Sequence, residues 1–447
     1  MFPGVLIASA VLLLGCASTH ERRSMQTARE TERELAVPAQ DLKEHVRDLY
    51  EVARGVEPYL QYAALNNPEL KSAFYQWKAE LHKVPQARAL MDPDFNYTYY
   101  IREVETRVGP QKQRFGISQA FPWFGTLSLK GGIAWEKAEQ VRFKYEAKKL
   151  GKFYQIKDAY YDYYFLGRTL SIHKENFSLL KQWESVLLKK YATGSAMHGQ
   201  VIKIQVELGK LEDQIKTLES KRYPIDTRLR SLVGIADTAL FPYPQKAEID
   251  NVLMDKAELF QKLLKNNPDL TSLERKIRMN EKKVSLARKK YHPNLMIGLN
   301  YIQTGESQMN PAPMDNGKDP LMVGASINIP IQLGRTSSSV KEAKAGKKSA
   351  EYARENLENL LRSKLANLIF KIDNAKRKAS LYKESLVPKA LQALKAFEIS
   401  FRSGKAGYLD LLDAQRELLK LELVYEKAVS DHKKHLAELE MIVGEEL

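Results

Sequence analysis

The stretch Asn66-Asn67-Pro68-Glu69-Leu70 returns 200 positions later as Asn266-Asn267-Pro268-Asp269-Leu270. An echo at this distance marks an internal duplication. Each copy is followed by a helical stretch, a proline (Pro93, Pro293) and a segment that alternates apolar and polar residues. The order of later signals repeats as well. Gly116-x-Ser118-x-x-x-Pro122 answers Gly324-x-Ser326-x-x-x-Pro330, and Gly194 followed by Gln205-x-Glu207-Leu208 answers Gly404 followed by Gln415-x-Glu417-Leu418. Two halves, residues 44–235 and 236–447, are each expected to hold two strands and a long helical hairpin.

The strands are expected over 94–103, 113–121, 294–303 and 321–329. Phe95, Tyr97, Tyr99 and Ile101 alternate with Asn96, Thr98 and Arg102; Leu295, Ile297, Leu299 and Tyr301 alternate with Gly298, Asn300 and Gln303. Phe115, Ile117 and Phe121 stand against Arg114 and Ser118, with Gln119 out of place on the apolar side. Leu321, Val323, Ala325, Ile327 and Ile329 alternate with Gly324, Ser326 and Asn328. Period two over about 9 residues suits a tilted membrane-spanning strand of about 9 to 11 residues. The apolar set would then meet lipid, and Asn96, Thr98, Arg102, Arg114, Ser118, Asn300, Ser326 and Asn328 a polar lumen. Turn residues such as Gly109-Pro110 and Asn316-Gly317 in the connections fit hairpin loops. Four strands cannot close a barrel and an open edge is not viable in a bilayer, so several copies must combine. The other reading of four strands is a soluble sandwich fragment.

The helices exceed what a compact domain needs. Thr126 to Ala192 contains no proline, and at 1.5 Å per residue it would run for about 100 Å. Residues 335–402 repeat that length with one proline, Pro388, expected to bend it. Each turns at a glycine-containing tip and returns as a shorter helix, 201–232 and 409–443, which reads as an antiparallel coiled-coil hairpin.

At the N-terminus an apolar run from Val5 to Leu14 has signal-peptide length and ends at Leu13-Leu14-Gly15-Cys16, around the only cysteine of the chain. This resembles a bacterial lipobox with Cys16 as the lipidated residue, although no Lys or Arg precedes Val5 and Leu14 is bulky for its place. Residues 1–15 are read as signal peptide and 16–43, polar and poor in apolar residues, as a flexible lipidated tether. A net charge of +15 with 28% charged residues is read as solvated helix faces, because Lys and Arg interleave with Glu and Asp and no nucleic-acid motif is present.

The Asn-Pro-Glu/Asp-Leu pairs, Phe-Gly-Ile-Ser-Gln-Ala-Phe-Pro-Trp at 115–123 with its partner at 323–331, and Ser-Gly-x-x-Gly-Tyr-Leu-Asp-Leu-Leu-Asp-Ala-Gln at 403–415 together look like the TolC family of outer-membrane efflux proteins. The resemblance covers roughly residues 44 to 443. It implies a homotrimer in which four strands per chain make a 12-stranded transmembrane β-barrel, continued by a periplasmic α-helical barrel with a collar built from 44–60, 236–262 and the C-terminal tail. It further implies an outer-membrane location, a periplasmic adaptor and an inner-membrane transporter, of RND type, as partners, and no cofactor. Asp410 and Asp413, three apart on one helix face, match the family's periplasmic gate; the corresponding first-half residues are Gln200 and Lys203. The plainer reading of both acids is a first turn that favours the helix dipole. Tyr191, Gly194, Val201, Gln205, Phe401, Gly404, Leu411, Leu412 and Gln415 match the family's adaptor-docking tips, against the alternative that the glycines end helices and the apolar residues pack the hairpin.

No catalytic constellation, phosphate loop or metal-ligand cluster is read; His432 and His435 share a helix face without Cys or acidic partners, and Met309, Met314 and Met322 are taken as incidental. The expected function is a passive exit duct of a tripartite pump for small toxic compounds or metal ions. A duct for type I protein secretion is the alternative within that class, and a pore-less periplasmic coiled coil the alternative outside it.

Overall fold

In the computed structural model residues 19–36, 47–51, 55–235, 239–245, 247–249 and 255–447 are described. Cys16, the signal run and parts of the expected collar lie outside them. The elements are helix α1 (Thr19–Leu35), α2 (Glu57–Asn66), α3 (Pro68–Arg88), strands β1 (Asp94–Val104) and β2 (Gln111–Phe121), α4 (Thr126–Ala192), α5 (His198–Val233), α6 (Lys256–Asn266), α7 (Pro268–Lys289), β3 (Leu295–Thr304), β4 (Leu321–Ile327), α8 (Leu333–Leu381), a π-helical turn (Tyr382–Leu386), α9 (Val387–Arg402) and α10 (Tyr408–Val443). The element order repeats between the halves. The chain divides into two compact units, one comprising Met1–Ala28, Gln76–Arg142 and Ser272–Arg354, the other Arg29–Tyr75, Phe143–Thr271 and Glu355–Leu447.

The repeated Asn-Pro pentapeptide is a joint between helices. Asn67 Oδ1 accepts from the backbone N–H of Glu69 (2.9 Å) and Leu70 (3.2 Å), capping α3, while its amide Nδ2 donates to Leu232 O at 2.7 Å in the last turn of α5. Asn267 does the same in the second half. Its Oδ1 accepts from Leu270 N (3.0 Å) and its Nδ2 donates to Ile442 O (2.8 Å) at the end of α10. One buried side chain thus satisfies the orphan groups at the start of one helix and the end of another. Pro68 and Pro268 fill the first helical position, where a missing N–H costs nothing. Gly234 (φ 87°) and Gly444 (φ 90°) end the returning helices in the left-handed conformation, bringing the two backbones close enough for the asparagine to bridge them.

Around each joint sits a core of its own. Tyr59, Ala63, Ile156, Tyr163, Leu229, Val233 and Phe241 cluster in the first, and Leu263, Leu270, Leu365, Ile369, Leu439 and Ile442 in the second. Arg228 of α5 and Lys434 of α10 both clamp Asp158 and Asp162 of α4 at 2.6–3.2 Å, so charge as well as apolar contact joins the two hairpins.

Three expectations are corrected. The segment read as a flexible tether holds α1, because Glu21, almost fully buried, forms a bidentate pair with Arg88 of α3 (Nη1 to Oε2 2.6 Å) and Ser24 donates to Glu139 at 3.1 Å. Gly131 makes the space, since a Cβ there would sit 2.2 Å from the Arg88 side chain. The second long helix is interrupted at Tyr382–Leu386 by a π turn just ahead of Pro388. Proline offers no N–H and crowds the carbonyl one turn back, and a wider turn relieves that clash. β4 also ends at Ile327, two residues before the expected limit, where Asn328 turns its side chain to accept from Asn294 N at 2.5 Å.

Candidate functional site

Two regions carry candidate function: the sheet and the helical tips. The sheet has the order β1-β2-β3-β4, all antiparallel, and leaves one edge of β1 and one of β4 unpaired. Its register places Asn96, Gly116, Asn300 and Met322 in one row, Thr98, Arg114 and Ile302 in the next, and Asp94, Ser118, Gly298 and Gly324 in a third, all on the same face. The opposite face carries Phe95–Ile117–Leu299–Val323 and Tyr97–Phe115–Tyr301–Leu321. Asn96, Thr98, Arg114, Ser118, Asn300 and Ser326 therefore share one face; Arg102 lies past a break in the β1–β2 register after Tyr99, and Asn328 lies beyond the end of β4, so the register assigns neither to a face. Gln119 pairs with Ile297 on the apolar face and donates to Met91 O at 2.9 Å.

That apolar face has no core beneath it. Phe95 is 67% exposed, Val323 77% and Ile101 92%. At about 25 cal/mol per Å² such a surface is strongly unfavourable in water, and two bare strand edges add unsatisfied backbone groups. The opposite face is lined by small residues and by polar side chains that bond one another, as Arg114 Nε and Nη2 do with Asn300 Oδ1 at 3.0 and 2.8 Å. Apolar outside, polar inside and open at both edges is the arrangement of a barrel segment that needs neighbouring copies in lipid.

At the tips α4 turns into α5 and α9 into α10, each through a glycine at positive φ, Gly194 (72°) and Gly404 (77°). Both glycines have open space around them, so backbone conformation alone requires them. The two tips pack into one core of Trp183, Leu187, Ile204, Phe401, Tyr408 and Leu411 with their neighbours. Lys190 Nζ donates to Phe401 O at 2.5 Å and lies 4.5 Å from its ring centre, and Arg416 pairs with Glu207 at 2.6 Å. Burial would raise the Glu207 carboxyl, but hydrogen bonds from Lys210 and Arg416 outweigh it and hold the group below the usual carboxylate range. Burial pushes the Tyr408 hydroxyl up.

Asp410 and Asp413 are both exposed on α10. Asp410 Oδ2 accepts from Gly407 N at 3.0 Å, capping the first turn from the N3 side only, and Gln200 occupies the equivalent place in α5, with Met197 N 3.4 Å from its Oε1. Asp413, with its side chain 74% exposed, lies 3.4 Å from Arg416.

Among the residues read as docking surface, Tyr191, Gly194, Gln205 and Gly404 are accessible. Val201, Phe401, Leu411, Leu412 and Gln415 are not. They are buried in the tip core, and Gln415 spends its amide on Asn176 Oδ1. Their apolar character serves the packing between hairpins, each contributing about 1.5–3 kcal/mol on burial. Exposed apolar residues stand instead at Leu188, Met197, Ile202, Val206, Ile399 and Leu409. Their signal was in the sequence: Val201, Ile204, Leu208 and Leu211 complete the inward seam of α5, which leaves Ile202 and Val206 off it.

Residues 259–445 match the family model described as outer membrane efflux protein. The chain is 22% identical over 382 residues to the cobalt-zinc-cadmium resistance protein CzcC of Cupriavidus metallidurans, covering 83% of this chain and 85% of that one. It is 23% identical over 399 residues to the outer membrane protein TolC of Vibrio cholerae, covering 85% and 88%. Its fold superposes on CusC, whose structure was solved in the context of transmembrane channel formation, with a TM-score of 0.75 over 88% of this chain and 92% of that one at 15% identity.

Proposed function

We propose that the chain is a member of the outer-membrane efflux protein family, which its match over residues 259–445 and its relatives support, and that three copies form the outer-membrane exit duct of a tripartite pump. The observation that carries this reading is the four-stranded sheet with an exposed apolar face, a small polar face and two unpaired edges. Three sheets joined edge to edge satisfy every ladder, place the aromatic face in lipid and enclose a lumen lined by Asn96, Thr98, Arg114, Ser118, Asn300 and Ser326. The helical hairpins continue the duct into the periplasm, where their tips meet an adaptor and, through it, an RND-type inner-membrane transporter that supplies the energy. Such a chain positions, conducts and gates, with no bond-making chemistry.

Asp410 and Asp413 supply the gate in this reading. Both are exposed on the first turns of α10, and three copies around an axis make two acidic rings, which select for cations when the opening is narrow. The accessible apolar set of Ile202, Val206 and Leu409 joins Tyr191, Gly194, Gln205 and Gly404 as the adaptor-facing surface. Single-channel recording tests the duct and the gate together. The wild-type chain conducts weakly with cation preference and is blocked by multivalent cations; Asp410→Ala with Asp413→Ala removes the block and much of the preference while trimers still form. Unchanged selectivity would put both acids outside the conduction path, and no conductance in either form would remove the duct.

Cys16 is proposed as the lipid anchor of this duct. Wild-type protein is expected to incorporate labelled palmitate and Cys16→Ala to lose it; label persisting in the variant would refute the assignment.

A further inference from the structure

On the polar face of the sheet Arg114 has no carboxylate partner among the described residues, the acid Asp94 standing four positions along β1 from Thr98, the residue opposite Arg114. Arg114 is held through Nε and Nη2 by the neutral amide oxygen of Asn300. Gly116 makes that hold feasible, because a Cβ there would sit 2.7 Å from the same Oδ1. Where this face runs into the helices, marked by Asn294 and Asn328, a cavity of about 1030 Å³ is lined by Lys130, Lys289, Lys290 and Arg335 against a single carboxylate, Glu342. Lys290 donates to the Ser339 hydroxyl at 3.0 Å. Neither Arg114 nor any of these four cations forms an ion pair among the described residues. On the neighbouring stretch of α8, by contrast, Lys347 is paired with Glu281 and Glu351 at 2.9 and 3.4 Å.

We infer that the barrel and its root form an anion filter, and that cargo crosses this part of the duct as an anion: a small molecule bearing carboxylate, phosphate or sulfonate, or a metal held in an anionic complex. The inference rests on the duct reading and narrows its cargo. Three chains bring three copies of Arg114 to one level of the lumen and a ring of lysines and arginines to its base. In water such charges act over about 8 to 10 Å, comparable with the radius of a narrow barrel, and a permeating ion passes within that reach. A bare divalent cation would meet repulsion at these two levels. Two charge selections follow from this reading, acidic at the tips and basic in the barrel.

The test uses the full chain in planar bilayers under a KCl gradient, with Asp410→Ala and Asp413→Ala as background so that the tips do not set the selectivity. The background protein is expected to have a higher chloride-to-potassium permeability ratio than the wild type. Lys289→Gln, Lys290→Gln and Arg335→Gln together, or Arg114→Gln alone, should lower the chloride-to-potassium permeability ratio by about threefold, and Arg114→Lys should retain it. Pyrophosphate added to the bath should reduce conductance in the background protein and lose that effect in the neutralised variants. A permeability ratio unmoved by both neutralisations, in channels that still conduct, would overturn the filter and leave the duct standing. Absence of conductance in every form would remove the duct and the filter with it.

Discussion

The two halves share a joint and differ at the tip. Asn67 and Asn267 make the same bridge between the start of one helix and the end of another, with the same proline after them and the same left-handed glycine opposite. The joint leaves no freedom, since three backbone groups at Asn67 and two at Asn267 must be met by one buried amide and any other residue strands at least one of them. The tips are exposed, and there the copies have diverged: Gln200 and Lys203 stand where Asp410 and Asp413 do, and continuous α4 corresponds to α8 and α9 broken by a π turn. A duplicated scaffold thus keeps what packing dictates and varies what faces solvent. The interrupted, acidic hairpin is the one expected to move, and the continuous hairpin to hold it.

The largest effects should come from the joints, and they should be unequal. A Cβ on Gly444 would sit 2.4 Å from Asn266 O, whereas one on Gly234 would sit 3.0 Å from Asn67 Cα. Both residues have positive φ, so each alanine carries backbone strain, but the first adds a backbone clash. Gly444→Ala should cost about 2–5 kcal/mol and Gly234→Ala about 1–3 kcal/mol, read as shifts in thermal unfolding of the detergent-solubilised protein. Equal costs would mean that the second joint relaxes more than its geometry implies.

A smaller effect sharpens the comparison at the tips. Glu207 of the first hairpin pairs with Arg416 of the second and is held below the usual carboxylate range. A depressed carboxyl stabilises above its unfolded-state value, near 4.3, and that contribution is lost as pH falls through the folded-state value. Acidification from about pH 5 to about pH 3 should therefore loosen the two tips from each other by about 0.5–1 kcal/mol, seen as faster amide exchange in α5 and α10. Glu207→Gln should flatten that pH dependence; a variant that keeps it would shift the effect to other acids.

Much of this was legible in the sequence, and for physical reasons. Strand faces follow from alternation, so the register of β1–β4 groups Asn96, Thr98, Arg114, Ser118, Asn300 and Ser326 on one face and puts Gln119 on the other. The bounds of α4 coincide with expectation because no proline interrupts Thr126–Ala192 and Gly194 ends it. Other features had weaker signals. A helix as polar as α1 is held by contacts far along the chain, such as the ion pair of buried Glu21 with Arg88, whose partners lie 67 residues apart. The π turn at Tyr382–Leu386 has only Pro388 as its mark, and a proline can equally kink a helix. Leu411 and Leu412 could face a partner protein or the neighbouring hairpin, and only the tip core reveals which.

The central claim is that one chain supplies a third of a barrel. Native mass measurement of the full chain in mild detergent tests it most directly. The account predicts a stable complex of three chains whose β content is that of the intact sheet; a monodisperse monomer retaining that β content would contradict it.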